Sequence, residues 1–267
     1  MISFVGAGPG APDLLTLRGA RRLRDADIVV WASSLVPEAV LEHCRPDVVL
    51  HDSAVMTLED VLAVFAASDD DVDIVRLHSG DPGIYGAIGE QLDWCRANGR
   101  SVEVVPGVTS VAAAAATLQR ELTLPGISQS VIFTRLGGRT AASMRRGEGV
   151  AAFATAQVTM AVFLSGARPD QLQAELLAGY PPDTPAAVAV RVTWPDESIT
   201  RTTVGGLADA VRATGAERTV LVLVGDALGD DPVPARSHLY SPTHSTSFRL
   251  PSRAGSTAGR PSRRRDR

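Results

Sequence analysis

Arg76-Leu77-His78-Ser79-Gly80-Asp81-Pro82-Gly83-Ile84-Tyr85-Gly86 is the stretch on which the fold turns. Its lead-in, Asp73-Ile74-Val75-Arg76-Leu77, is an apolar run of strand length. It stops at Ser79, Gly80, Asp81, Pro82 and Gly83, residues that break an extended segment into a tight turn. Beyond the turn, Ile84, Ala87, Ile88, Gln91, Leu92 and Cys95 recur at helical spacing, which predicts a helix starting just after Pro82. Asp81 therefore falls between the carboxyl end of a strand and the amino end of a helix, where open α/β sheets bind ligands. Two roles stand open for it: an N-cap of the following helix, or a carboxylate facing a ligand.

Working outward, the same strand, turn and helix recur twice in the first half. Ile2 to Val5 run into Gly6-Ala7-Gly8-Pro9-Gly10 and a helix over 13–25; a strand over 102–105 ends at Pro106-Gly107-Val108-Thr109-Ser110, with an alanine-rich helix over 111–118 capped by Thr109 or Ser110. Between them lie a strand over 28–31, a short helix over 37–43 and a strand over 48–50. Thr57 and Asp60 then have the spacing of a capping box ahead of Leu58, Val61, Leu62 and Phe65. Leu122-Thr123-Leu124-Pro125-Gly126 reads as a hinge. A second set of strands follows over 130–134, 160–164, 186–192, 198–203 and 219–224, with helices over 169–177 and 207–213. Trp194-Pro195-Asp196-Glu197 reads as a hairpin turn, so this sheet is expected to be mixed. The expected class is α/β, with α/β domains over 1–120 and 121–231. An extension over 232–267 follows, disordered from about residue 251, where Ser, Pro, Thr and Arg replace apolar residues.

Composition removes several function classes. Among 267 residues all 26 basic side chains are arginine, so Schiff-base, general-base and phosphate-binding lysines are excluded together. A net charge of −4 argues against a nucleic-acid partner. Cys44 and Cys95 have no CxxC or His-x3-His neighbour, and no metal site is expected. No apolar run approaches the roughly 18 residues that cross a bilayer. Ile2 to Val5 lead straight into Gly and Pro without a basic segment before them, and a cytoplasmic, membrane-free protein is expected.

The Gly6 to Gly10 loop invites a nicotinamide reading, but the third glycine comes one residue early for G-x-G-x-x-G and Pro9 has no N–H for a pyrophosphate. Asp25 and Asp27 also precede the second strand instead of following it. On spacing alone, a cofactor role and a plain strand-to-helix turn remain equal alternatives.

Taken together, Gly6-Ala7-Gly8-Pro9-Gly10 with Asp13-Leu14-Leu15-Thr16, Gly80-Asp81-Pro82 with Tyr85-Gly86, and Pro106-Gly107-Val108-Thr109-Ser110 resemble the signature of the S-adenosylmethionine-dependent tetrapyrrole methyltransferases. Finer features resemble the precorrin-4 C11-methyltransferase branch: His51-Asp52-Ser53-Ala54, Glu121-Leu122-Thr123-Leu124-Pro125, Thr134-Arg135 with Gly138-Arg139-Thr140, and Trp194-Pro195-Asp196-Glu197. The resemblance implies a homodimer of two-domain chains with the methyl donor in the interdomain cleft. It implies donor contacts from Pro9, Ser79, Gly80, Asp81, Ile84, Tyr85, Thr109 and Ser110, and from Leu164, Ser165, Thr193 and Trp194 in the second domain. The implied reaction is methyl transfer to C11 of precorrin-4 in cobalamin synthesis. The chain departs from the pattern at Ala141 to Arg146, where prolines and an acid are usual, and at Thr246, where a histidine is usual.

A methyl sulfonium is electrophilic already, so such a site needs alignment and exclusion of water more than a protein nucleophile. A polycarboxylate tetrapyrrole suits arginine forks, and Arg135, Arg139 and Arg168, on loops after second-half strands, are the substrate candidates, with His51 beside them. His51, His78 and Tyr85 stand at strand ends, positions from which a proton can be moved, a structural hydrogen bond being the stronger reading for His78. No general base is named.

Overall fold

A computed structural model describes residues 1–137, 142, 144, 145, 147–230, 237, 239, 241, 244, 245 and 247. Arg139, and nearly all of the 232–267 extension including Thr246, lie outside the described residues.

The first half builds a parallel sheet in the order β3-β2-β4-β1-β5, from β1 (Ile2–Gly6), β2 (Ile28–Trp31), β3 (Val49–Asp52), β4 (Ile74–His78) and β5 (Val102–Val105). Strands covered on both faces read as unbroken apolar runs, and every residue of β1 is buried. Alternate side chains supply two cores. Val5, Val29, Val75, Leu77 and Val105 pack with Leu23 of α1 (Leu17–Asp25). Ile2, Phe4, Val30 and Ile74 pack with Phe65 of α2 (Leu58–Ala67) and Cys95 of α3 (Gly89–Ala97). The capping box at the start of α2 is formed: Asp60 N donates to Thr57 Oγ1 at 3.3 Å and Thr57 N to Asp60 Oδ2 at 2.8 Å.

The second half is a mixed sheet, β6-β7-β10-β8-β9, from β6 (Val131–Arg135), β7 (Thr159–Phe163), β8 (Pro185–Val190), β9 (Ser198–Thr203) and β10 (Val220–Val224). β6 and β7 are parallel, and the remaining pairs are antiparallel. Met160, Val162, Val188 and Val222 face the core shared with α5 (Val150–Ala154), α6 (Pro169–Leu176) and α7 (Leu207–Thr214). The opposite face carries Ala161, Ala187, Ala189, Leu221 and Leu223. Against it packs α4 (Ser110–Leu118), through Val111, Ala113, Ala114 and Leu118. The alanines on both sides let this helix of the first half lie close to the second sheet, so the two halves share a core.

Three local expectations need correction. The helix over 13–25 is split, because Pro12–Leu14 form a 3₁₀ turn and Thr16, in extended conformation, starts α1 afresh by accepting a bond from Gly19 N at 3.1 Å. β3 runs to Asp52, so His51 lies within the strand and not in the turn after it. The helix after Pro82 begins only at Gly89, since Tyr85 and Ala87 hold left-handed φ values of 55° and 50°, which a right-handed helix does not accept. Asp81 is accordingly no helix N-cap; that position of α3 is Ile88, without a side-chain cap.

Candidate functional site

The three turns of the first half are locked to one another. Gly8 N donates to Gly80 O at 3.2 Å and Gly80 N to Gly8 O at 2.8 Å, while Ala7 N reaches His78 O at 2.7 Å. A Cβ at Gly107 would stand 2.1 Å from Gly80 O, and one at Gly6 2.6 Å from Gly107 Cα. Backbone fills the space a side chain would need at Gly6 and Gly107, while Gly80 has room for a Cβ but holds a left-handed φ of 67°. Asp81 closes the arrangement: Oδ1 accepts from Gly83 N and Oδ2 from Gly107 N, both at 2.8 Å. The carboxylate holds its own turn and the β5 turn together.

In front of these turns, between the two sheets, lies a cavity of about 550 Å³. Pro9, Ser79, Gly80, Asp81, Ile84, Tyr85, Thr109 and Ser110 line it from the first half, and Leu164 and Trp194 from the second. Two other expected donor contacts stand behind the wall. Ser165 is fully buried, with Oγ donating to Val162 O at 3.3 Å, and Thr193 Oγ1 accepts from Ala11 N at 2.9 Å. Trp194 Nε1 donates to Pro9 O at 3.0 Å, a second tie between the halves. Of the substrate candidates, Arg135 ends β6 in register with Phe163, which lines the cavity, while Arg168 precedes α6 with Nη1 3.4 Å from Gln171 Oε1 and His51 sits on β3; none of the three lines the cavity itself.

Tyr85, Leu164, Arg191 and Thr219 all line the cavity and all have φ between 46° and 55°. Left-handed non-glycine residues cost roughly 1–3 kcal/mol each and persist where the surrounding fold demands them, which marks this wall as a built site. Arg191 pairs with Asp196 and lies over the Trp194 ring at 5.6 Å. A polar annex of about 850 Å³ adjoins the cavity and shares Ser34, Arg191, Trp194, Glu217, Arg218 and Thr219 with it.

Burial lifts the Tyr85 phenol above its ordinary pKa, with Arg135 pulling it back and Glu148 pushing it up. His78 is buried against the Phe4 ring at 6.1 Å, and desolvation, aided by Arg76, brings its pKa down to about 3, so it is neutral at pH 7. Among the described residues its Nε2 has no hydrogen-bond partner. Arg76 ties strands together instead, giving Nη1 to Val30 O and Ser53 Oγ at 3.1 Å each.

Ser34, Leu35, Ala167, Arg191, Glu217, Arg218, Thr219 and Val220 line the cavity without having been marked from sequence. The rule that ligands meet the carboxyl ends of strands does not flag Thr219 and Val220. They open β10, which runs antiparallel to β7 and β8 and so brings its amino end to their carboxyl ends. The left-handed Arg191, directly after β8, is the one with a usable signal, an arginine between a strand and a turn. The described lining contains no histidine, cysteine or lysine, and its backbone turns and small polar side chains are suited to holding and aligning a ligand.

The family model for Tetrapyrrole (Corrin/Porphyrin) Methylases matches residues 1–208. The chain belongs to this family. It is 43% identical to a cobalt-precorrin-4 C(11)-methyltransferase of Methanocaldococcus jannaschii, over 85% of this chain and 88% of that protein. To a precorrin-4 C(11)-methyltransferase of Pseudomonas aeruginosa it is 42% identical, over 93% of this chain and 98% of that one. The crystal structure of a cobalt precorrin-4 methyltransferase superposes with a TM-score of 0.81 at 41% identity, covering 86% of this chain and 96% of its own. A uroporphyrin-III C-methyltransferase from Thermus thermophilus, solved with the demethylated donor S-adenosylhomocysteine, gives 0.70 at 27% identity, covering 85% and 98%. The tetrapyrrole methylase fold of two α/β domains is thus that of this chain, and the donor-dependent methyltransferase class is its class.

Proposed function

We propose that this tetrapyrrole methylase transfers a methyl group from S-adenosylmethionine to C11 of precorrin-4, giving precorrin-5 on the route to cobalamin. The observation that carries the reading is the convergence of the three glycine turns, Leu164 and Trp194 on one cavity. This occurs in a chain 42% identical to a precorrin-4 C(11)-methyltransferase. The cavity lies in the usual size range of small-ligand sites, and the mutual packing of Gly6, Gly80 and Gly107 leaves backbone, not side chains, facing a ligand.

Pro9, Ser79, Gly80, Asp81, Ile84, Thr109 and Ser110 would hold the donor from one side, Leu164, Val192 and Trp194 from the other, with Ser165 and Thr193 supporting that wall. When bound, the donor supplies an activated methyl group, which calls for no metal. The chain's part is to orient that group toward the substrate carbon and keep water away. Arg135, Arg139 and Arg168, with His51, are offered as contacts for the substrate's carboxylates. The chain is expected to act as a cytoplasmic homodimer without nucleic acid or membrane, a reading supported by family likeness and by charge. Among the described residues no helix is long and apolar enough to cross a membrane.

A second reading, transfer to cobalt-precorrin-4, is favoured by the relative from Methanocaldococcus jannaschii. Mass spectrometry of the product from metal-free and cobalt-loaded substrate separates the two. Calorimetry with S-adenosylhomocysteine and NADH tests the class: binding of NADH alone would overturn both readings.

A further inference from the structure

The sheet face that α4 covers continues past the helix. In register, Phe133 on β6 stands beside Ala161 and Arg135 beside Phe163, so Phe133, Arg135 and Phe163 share the face of the alanines beneath α4. The rings of Phe133 and Phe163 are 6.1 Å apart, and Tyr85 of the first half leans over Phe163 at 5.0 Å. Unlike the alanines, these groups are open: Phe133 is 39% exposed, Tyr85 49%, and the neighbouring Leu164 66%. An aromatic ledge with a guanidinium on it therefore runs from the cavity lining at Tyr85 and Phe163 to the edge strand β6, built from both halves of the chain.

Resting on the proposed reaction, we infer that this ledge, Tyr85, Phe163, Phe133 and Arg135, is the docking surface for the tetrapyrrole macrocycle. Such a substrate has broad apolar faces and a rim of carboxylates. The ledge offers aromatic area for a face and, at its edge, a guanidinium for a carboxylate. Phe163, Tyr85 and Leu164 belong to the cavity lining as well, so a macrocycle on the ledge abuts whatever the cavity holds. Tyr85 and Leu164, both left-handed in backbone, meet at this junction, as strained residues at ligand sites do. Tyr85 is on this view a specificity residue for the macrocycle as much as a wall of the donor site. The other occupant to consider is a second copy of the chain laid against edge strand β6.

The test is binding of uroporphyrin III, a stable octacarboxylic tetrapyrrole, followed by fluorescence in the presence of S-adenosylhomocysteine. It is run on the full chain and on Phe133→Ser, Arg135→Gln and Tyr85→Leu. Each variant is expected to weaken porphyrin binding about tenfold, as loss of roughly 1.4 kcal/mol of contact implies, with Arg135→Gln also flattening the salt dependence. Phe133→Ser and Arg135→Gln should bind S-adenosylhomocysteine as the parent does, which also shows that they fold. Parent-like porphyrin affinity in Phe133→Ser and Arg135→Gln overturns the inference. So does a parent chain that does not bind the porphyrin, or a Phe133→Ser variant that changes only the sedimentation mass. Porphyrin binding lost in the variants, from a parent that makes no methylated product from precorrin-4 or its cobalt form, removes the proposed reaction and leaves the ledge standing.

Discussion

The carboxylate of Asp81 bonds the backbone N–H of Gly107, 26 residues away, at 2.8 Å, while its other oxygen holds Gly83 N at the same distance. One side chain thus fixes the relative position of two turns that line the cavity. Each oxygen accepts one bond from a backbone donor, so the carboxylate holds the turns together while still lining the cavity. Asp81→Ala is expected to lower stability by about 2 kcal/mol, from loss of two charge-assisted bonds, and to weaken S-adenosylhomocysteine binding through the loosened turns. Asp81→Asn, which keeps one acceptor, should fall between. Denaturant unfolding and calorimetry check this; an Ala variant with parent-like values on both would refute the role.

Gly107 has no room for a methyl group, with Gly80 O at 2.1 Å from the Cβ position and Gly6 Cα at 2.8 Å, all of it backbone. Gly107→Ala is expected to cost about 3 kcal/mol or to prevent folding. Gly89→Ala provides the contrast: it opens α3 with nothing within 4 Å of the Cβ position, and alanine there should be neutral or stabilise by up to about 1 kcal/mol. Equal effects of the two substitutions in thermal unfolding would contradict the packing account.

These contrasts show what local sequence carries. The β1, β4 and β5 turns were legible because glycine, proline and capping residues act on their immediate neighbours, and Thr57 with Asp60 or Thr109 at the start of α4 need no tertiary partner to be read. The Asp81 to Gly107 bond was not legible, since nothing local links residues 81 and 107. Tyr85 and Ala87 escaped because side-chain type does not announce a left-handed backbone in a non-glycine residue, and the helix was therefore started too early. Thr219 escaped because the direction of β10 is set by pairing with β7 and β8. Arg135 is marked by its motif, but its alignment with Phe163 is a matter of register.

His78 gives a pH dependence with a defined sign. Its pKa falls from an ordinary 6.5 to about 3 in the folded chain, because burial and Arg76 disfavour the imidazolium. Below pH 6.5 the unfolded chain takes up a proton that the folded chain refuses. Stability is therefore fully present above 6.5 and is lost as pH falls toward 3, by up to about 1.4 kcal/mol per pH unit from this group. His78→Leu removes that pH dependence, so the urea midpoint of the parent should fall relative to that of the variant as the pH is lowered from 6.5 to 4. Parallel curves would show that His78 is protonated without penalty.

Trp194 and Thr193 are the bonds that close the cleft from the second half: Trp194 Nε1 to Pro9 O at 3.0 Å, and Ala11 N to Thr193 Oγ1 at 2.9 Å. Both reach the loop after β1, and neither lies within a core cluster. Removing them should therefore loosen the cavity more than it destabilises the fold. Trp194→Phe keeps an aromatic ring near Arg191 but loses the indole N–H and part of the ring area, while Thr193→Val keeps the shape and loses the acceptor. Each is expected to raise the dissociation constant of S-adenosylhomocysteine about fivefold, for a net hydrogen bond of roughly 1 kcal/mol, with a smaller change in unfolding midpoint. Because the two residues are adjacent and bind one loop, the double variant should depart from additivity. Gly10→Ala offers an independent approach, since its Cβ would stand 2.3 Å from Trp194 Cδ1 and push the indole off Pro9. It should weaken the donor analogue at least as much as Trp194→Phe. Calorimetry showing parent-like affinity in Gly10→Ala and in the double variant would mean that the two halves are held together elsewhere, by α4 against the second sheet alone.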